Sequence, residues 1–316
     1  MVKVLSWRRR HDDTERQVGT MSGWQEGQNV RRGFLYDSFR VFHIRDRRDT
    51  EFEFHSHVFH KLIVFLKGSV RYNVEGRTYS LEPWDILLIG DNEIHRPLID
   101  SGSEYERVIV WVHDSTLKQL SQKGDDLSAC FGTVRSRKNN RIRNALRAEP
   151  ALKPLMKQLI LSCRDRGFGS EALRQAFFIQ LMVLVNRILL DPEAEETEDR
   201  EPQDPRIPVL LDYINSHLPE DLSIQRLSEQ FFFSRFYLMH QFKAQTGFTL
   251  HQYILRKRLN LANQLVEQGR SLTAASQEAG FSEYSSFLRA FQKHYGMSPR
   301  AYHRQEGGGL QGDTDE

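Results

Sequence analysis

Apolar and polar positions alternate in this chain with two different periods, in two different regions. Between 33 and 113, Val70, Tyr72 and Val74 alternate with Arg71 and Asn73, the period of two expected of a strand with one buried face. SFRVFHI, KLIVFLKGSVRYNVEGRTYSL, DILLIG and ERVIVWV read as short strands, with EGR at 75–77 as a hairpin turn. Regular short strands with such turns predict an antiparallel barrel or sandwich. From 150 the period lengthens. ALKPLMKQLILSCRDRG and SEALRQAFFIQLMVLVNRILL predict two helices joined at a glycine-containing turn. The second is apolar nearly all round and must be buried on more than one side. Two arrangements satisfy this: the barrel and a partner subunit cover it, or this chain alone does. Residues 207–304 read as helical throughout.

The boundary is DPEAEETEDREPQDPRIP. From 191 to 206 it holds eight acids, two arginines and three prolines, a composition that cannot bury a core and predicts an exposed linker. The formal charge of +2, from 44 Lys+Arg and 42 Asp+Glu, is uninformative as a total. Its distribution is not. Residues 251–304 carry eight Lys/Arg and three Glu, net +5, in the region that follows a linker of net −6. Basic residues on helices supply the salt-dependent attraction to phosphate that underlies DNA binding.

The remaining composition sets bounds. Cys130 and Cys163 lie in no metal-ligand or redox spacing, which suits a reducing compartment. The basic start MVKVLSWRRRHDDTERQ lacks the apolar stretch of a signal peptide, and 1–32 reads as a disordered leader. FFIQLMVLVNRILL at 177–190 is too short to span a bilayer and contains Gln180, Asn186 and Arg187. A soluble, cytoplasmic protein without a membrane partner is expected.

The helical half contains a repeat. Phe233 and Ser234 match Phe281 and Ser282 at an offset of 48; Phe242, Gly247, Thr249 and Tyr253 match Phe291, Gly296, Ser298 and Tyr302 at 49. Each copy is a short helix, SIQRLSEQF or LTAASQEAG, followed by a longer one. Ser234 and Ser282 are placed as N-caps, and Gly280 allows a tight turn. Two helices joined in this way make a helix-turn-helix.

The stretch AGFSEYSSFLRAFQKHYGMSPRAY, together with YLMHQFKAQTGFTLHQYI, closely resembles the AraC/XylS family of transcription regulators, over all of 207–304. The resemblance implies seven helices, with two helix-turn-helix units joined by the long helix LHQYILRKRLNLANQLVEQG. Their recognition helices would enter successive major grooves, roughly 34 Å apart. Carried over residue by residue, the base-facing positions are Arg235, Phe236, Met239 and His240 in the first unit, and Tyr284, Ser285 and Arg289 in the second. Arg289 could bond guanine O6 and N7 together or clamp a phosphate; both readings stand. Lys243 and Lys293, near the helix ends, suit phosphates. Leu238, Phe242, Phe287 and Phe291 sit at core spacing. Three positions depart from the family: Phe232 in the first turn, Ala275 in the second unit, and His240 where arginine is common.

FHSHVFHKLIVFLKGS, followed by RYNVEGRTYSLEPWDILLIGDNEIHRP, is similar to the cupin sensor domain found in that family. Metal-binding cupins place two histidines in H-x-H, a glutamate four residues on, and a third histidine on a later strand. On one strand, positions 55, 57 and 61 share a face. His55, His57 and His95 match, but Lys61 replaces the glutamate, and an ammonium there repels a divalent cation. Trp84 replaces glycine in EPWD. Convergent His55, His57, Lys61 and His95 therefore suit a small-molecule site with a few polar groups. A solvated barrel mouth that binds nothing is the competing reading.

The sequence thus predicts a multidomain α+β protein. A double-stranded β-helix (cupin) barrel at 33–113 senses the effector, a helical segment at 114–190 dimerises, a linker follows at 191–206, and an all-α DNA-binding domain occupies 207–304 before a disordered tail, 305–316. The expected function is a DNA-binding transcription activator controlled by a small molecule, which the resemblance implies is a carbohydrate or related metabolite. Its partners are double-stranded DNA, a second copy and RNA polymerase; no cofactor, metal or enzymatic activity is expected. Two alternatives stand beside it: a metal-dependent cupin enzyme fused to a DNA-binding domain, and a regulator needing no effector.

Overall fold

The computed structural model describes residues 38–46, 52–100, 102–191 and 206–306. The predicted leader, nearly all of the acidic linker and most of the tail lie outside them. The strand-rich half folds into two antiparallel sheets. Five strands, β1 (Phe39–Asp46), β2 (His60–Lys67), β5 (Ile86–Ile89), β7 (Tyr105–Val112) and β8 (Arg141–Ile142), pair in the order β1-β7-β2-β5-β8. Three more, β3 (Val70–Val74), β4 (Arg77–Ser80) and β6 (His95–Ile99), pair as β4-β3-β6. The turn at 75–77 is as expected: Glu75 and Gly76 both have positive φ, 46° and 74°, and Val74 pairs with Arg77. Positive φ at both central residues is the I′ geometry that matches strand twist.

The larger sheet is covered on both faces, which explains its unbroken apolar runs. Leu62, Val64, Ile86, Leu88, Val108 and Val110 face a helical layer. The intervening Ile63, Phe65, Leu87, Ile89 and Ile109 face the barrel interior. The helices are α1 (Asp114–Leu120), α2 (Ala129–Arg137), α3 (Ala145–Ala148), α4 (Leu152–Ser162) and α5 (Ser170–Leu190). Among the described helices α5 alone is long and apolar enough to cross a membrane. Its Phe178, Leu181, Met182 and Val185 are fully buried in the barrel's outer core, as in a core helix. Leu173 and Leu190 on α5 and Leu161 on α4 remain about half exposed.

Seven helices follow: α6 (Arg206–Ser216), α7 (Ile224–Gln230), α8 (Arg235–Thr246), α9 (Leu250–Glu267), α10 (Leu272–Glu278), α11 (Tyr284–Tyr295) and α12 (Pro299–Glu306). Ser223 and Ser271 cap α7 and α10 by accepting from Arg226 N and Ala274 N, and Thr249 with Gln252 forms a capping box on α9. Both α8 and α11 end on a left-handed glycine, Gly247 and Gly296.

Two expectations need correction, and two further features were not read from the sequence. His55 and His57 do not share a strand with Lys61: β2 begins at His60, and His55 forms an isolated bridge with His95. Ser282 is not an N-cap. Ser234 caps α8 from the position before Arg235, but in the second copy the inserted residue is Glu283, which takes the cap position without a side-chain bond. Strands β6, which contains Pro97, and two-residue β8 carried no legible pattern. Trp84, at the position where the family pattern has glycine, takes the left-handed φ of 71° itself.

Candidate functional site

The barrel site is assembled from three separate segments. His55 and His95 exchange backbone hydrogen bonds, 3.1 Å from His55 N and 2.9 Å from His95 N. This bridge extends the small sheet and brings their rings to 4.3 Å, with His57 and His95 at 4.8 Å. Lys61 lies on β2 with the parity of the interior residues, and its Nζ is 3.5 Å from His95 Nε2. The four residues therefore do converge, although for a different reason than strand parity.

Their protonation follows from their partners. Nδ1 of His55, His57 and His95 each faces a backbone carbonyl, Glu53 O at 3.0 Å, Phe59 O at 2.8 Å and Glu93 O at 2.9 Å. A carbonyl can only accept, so each Nδ1 carries a proton, and in a neutral ring Nε2 then keeps its lone pair. Burial first, then the Lys61 charge and His55, holds His57 well below the usual imidazole range. Burial, then His55 and Lys61, does the same for His95. Both are neutral acceptors at neutral pH. His57 Nε2 is buried and has no hydrogen-bond partner among the described residues.

Trp111 was missed from sequence, where it read as one more strand residue. It is the direct cross-strand partner of Lys61 on β7 and so shares its face. Its indole Nε1–H is likewise buried and unpartnered among the described residues. Phe59 lies between the two orphans, stacked on His57 at 4.1 Å and 4.9 Å from Trp111. A buried donor and a buried acceptor left open on one aromatic-walled face cost stability unless a ligand satisfies them. The donor set does not suit a divalent cation: the Lys61 ammonium stands on the lone pair of His95 that a metal would need.

In the helical half, Arg235, Phe236, Met239, His240 and Lys243 are exposed on α8, with Phe236 78% and Met239 51% exposed. On α11, Ser285, Arg289 and Lys293 are exposed and Tyr284 is half-buried against Phe287. Arg289 Nη2 donates to Ser286 Oγ at 3.3 Å. Leu238, Phe242, Phe287 and Phe291 are buried. One helix face packs and the other presents basic, polar and aromatic groups to solvent, as a nucleic-acid surface requires. Phe232, 94% exposed, takes φ 55° at the turn position where the second copy has Gly280 at φ 92°. At Gly280 a Cβ would come within 2.5 Å of Leu218 O, so only the second turn demands glycine for space.

Residues 39–182 match the family model of an AraC-like ligand-binding domain, and 227–305 match that of a helix-turn-helix domain. Over 96 residues, 30% of this chain and 39% of the relative, the sequence is 47% identical to a probable transcriptional regulator, LumQ, from Photobacterium leiognathi. It is 23% identical to the HTH-type transcriptional activator RhaS of Escherichia coli over 266 residues, 83% of this chain and 91% of RhaS. Among solved structures, ToxT from Vibrio cholerae aligns with 84% of this chain and 96% of its own at 13% identity and a TM-score of 0.32. With both domain matches in this order on one chain, the protein belongs to the AraC family, the effector-controlled transcription regulators that join an AraC-like ligand-binding domain to a helix-turn-helix DNA-binding domain.

Proposed function

We propose that the effector is a small polyhydroxylated molecule, a carbohydrate or an acid derived from one, held by His55, His57, Lys61 and His95 together with Trp111. The observation that carries this is the pair of buried orphans, His57 Nε2 as acceptor and Trp111 Nε1 as donor, beside a buried ammonium. A hydroxyl both donates and accepts, so one polyol satisfies both, and the faces of Phe59 and Trp111 suit its C–H surface. Lys61 adds preference for a carboxylate or phosphate on the ligand. Arg235, Phe236, Met239, His240, Tyr284, Ser285 and Arg289 read bases, while Lys243 and Lys293 bind phosphates. The half-exposed leucines of α4 and α5 support a homodimer through the helical segment, and the protein acts in the cytoplasm as an activator that contacts RNA polymerase.

Thermal-shift screening of sugars and sugar acids tests the pocket. A ligand at a hundred times its Kd stabilises by about 2.7 kcal/mol. That shift should vanish in His57→Asn, which keeps the donor to Phe59 O but deletes Nε2, and in Trp111→Phe. A stabiliser indifferent to both variants binds elsewhere. A metal-dependent cupin enzyme is the competing reading, against which Lys61 stands through its place beside His95 Nε2. Metal analysis separates the readings: a stoichiometric transition metal lost on His57→Ala would favour the enzyme. For DNA, sites selected from a random pool should lose preference at one base position in Arg289→Ala, at a cost of about 1–3 kcal/mol.

A further inference from the structure

Two residues, Phe54 and Ile94, each precede a pocket histidine by one position, and both leave the barrel. Ile94 is 2% exposed and belongs to the same core as Ile207 and Leu211 of α6 and Leu238 and Phe242 of the first helix-turn-helix unit. Phe54 packs on that core as well. It fits so closely over the turn after α8 that a Cβ on Gly247 would come within 2.2 Å of its ring. The Arg96 guanidinium sits over the Phe54 ring, 4.3 Å from its centroid. Because His55 and His95 are bridged through their backbones, both wedge residues are tied to the two pocket histidines as one piece.

A polar contact runs beside the wedge. Glu75, at the β3–β4 turn, accepts from Ile94 N at 2.7 Å, from Lys257 Nζ at 2.6 Å and from the Tyr253 phenol. Lys257 also donates to Asn92 O at 3.0 Å, and Asn92 N donates to His57 O at 2.7 Å. Bonded groups therefore connect His57, through Asn92, to Lys257 on α9. Burial, and then the Glu75 charge, keeps the Tyr253 phenol well above its ordinary range, so it stays a donor. Arg77 and Lys138 both pair with Asp212 on α6, each at 2.8 Å. The core of the second unit, by contrast, is built from α9 to α12 residues such as Leu259, Phe281, Phe287, Phe291 and Tyr302, with no barrel residue in it.

We infer that the barrel governs the first helix-turn-helix unit and leaves the second unregulated, with the Phe54–Ile94 wedge and the Glu75–Tyr253–Lys257 contact as the coupling element. The effector then changes DNA affinity at one half-site, because among the described residues only the first unit's apolar core includes neighbours of the pocket histidines; the barrel's hold on α9 is polar, through Lys257 and through Gln264, which donates to Asp91 at 2.8 Å. A ligand acts through this element when it favours one arrangement of it over another. The inference rests on reading His57 and His95 as effector ligands, and its test is separable from that reading.

The test uses the full-length chain on a selected two-half-site operator, with Arg289→Ala marking which half belongs to the second unit. Glu75→Gln, Lys257→Met and the double variant are compared with the parent by hydroxyl-radical footprinting titration. Occupancy of the first unit's half-site should shift by about five-fold or more in all three, within the usual range for coupled sites. Occupancy of the second should hold. The double variant controls for an unpaired buried charge; if it restores the parent footprint, the contact is not the coupling element. An equal shift at both halves, or none at either, overturns the inference and leaves the effector reading intact when sugars still stabilise the variants. Failure of the parent to select any DNA sequence would overturn both.

Discussion

Phe291→Ala is expected to unfold the second helix-turn-helix unit while the barrel and the first unit stay folded. Phe291 is fully buried and touches Phe287 at 5.5 Å, Tyr295 at 4.4 Å and Tyr302 at 5.5 Å between ring centroids. Truncating such a ring costs about 3–5 kcal/mol, the transfer term plus the cavity left behind. Whole domains have only about 5–15 kcal/mol, and the second unit has its own small core. Taking about 4 kcal/mol, the local folding equilibrium shifts by close to a factor of a thousand, at about 1.4 kcal/mol per factor of ten. Hydrogen exchange reads this directly. Amides of α10, α11 and α12 should lose two to three decades of protection, while those of β2, β5 and β7 keep theirs, consistent with separate cooperative units. Footprinting should then show one half-site. Loss of protection spread evenly across barrel and both units would refute the independence of the two helical cores.

Acid should destabilise the protein below about pH 6.5. Burial holds His57 and His95 well below the usual imidazole range. The unfolded chain therefore takes up more protons as pH falls, and stability present above pH 6.5 is lost, by at most about 1.4 kcal/mol per pH unit for each site. Glu93 works against this, since its buried carboxyl is raised and favours the protonated fold. Urea midpoints of the parent and His57→Asn should accordingly converge between pH 7.5 and 5.5; parallel lines would remove His57 from the account. Phe232→Gly should stabilise by about 0.5–1 kcal/mol. Relief of a left-handed non-glycine residue is worth about 1–2 kcal/mol, less about 0.4–1 kcal/mol of unfolded-state entropy, and the 94% exposed ring buries almost nothing. A lower melting temperature would contradict this. Lys243→Ala and Lys293→Ala should each reduce the slope of log K against log salt by about 1 without changing the selected sequence; altered sequence preference would mean base readout instead.

Much of the fold was legible because it depends on local rules. Period-two alternation, the 75–77 turn, the cap at Ser234, and the repeated glycines that close α8 and α11 are all written within a few residues of where they act. The repeat was equally plain, and the apolar positions Leu238, Phe242, Phe287 and Phe291 announced which helix face packs. Sequence also identified His55, His57, Lys61 and His95 as a set. It misjudged how they meet, since parity assumes a continuous strand, and the chain bends at 58–59 before β2 begins. Ser282 failed as a cap because a single insertion, Glu283, was located only by the start of α11.

What tertiary structure alone decided is long-range pairing. Trp111 comes beside Lys61 because β7 lies next to β2 in a register that sets the two opposite each other, and register is a property of two distant segments. The tautomers of the histidines depend on carbonyls supplied by the folded backbone. Glu75 meets Tyr253 and Lys257 across more than 170 residues, and no local pattern marks a contact between two domains. Chemistry at each position was therefore fixed by the residues themselves, while the choice of which residues act together was fixed by packing.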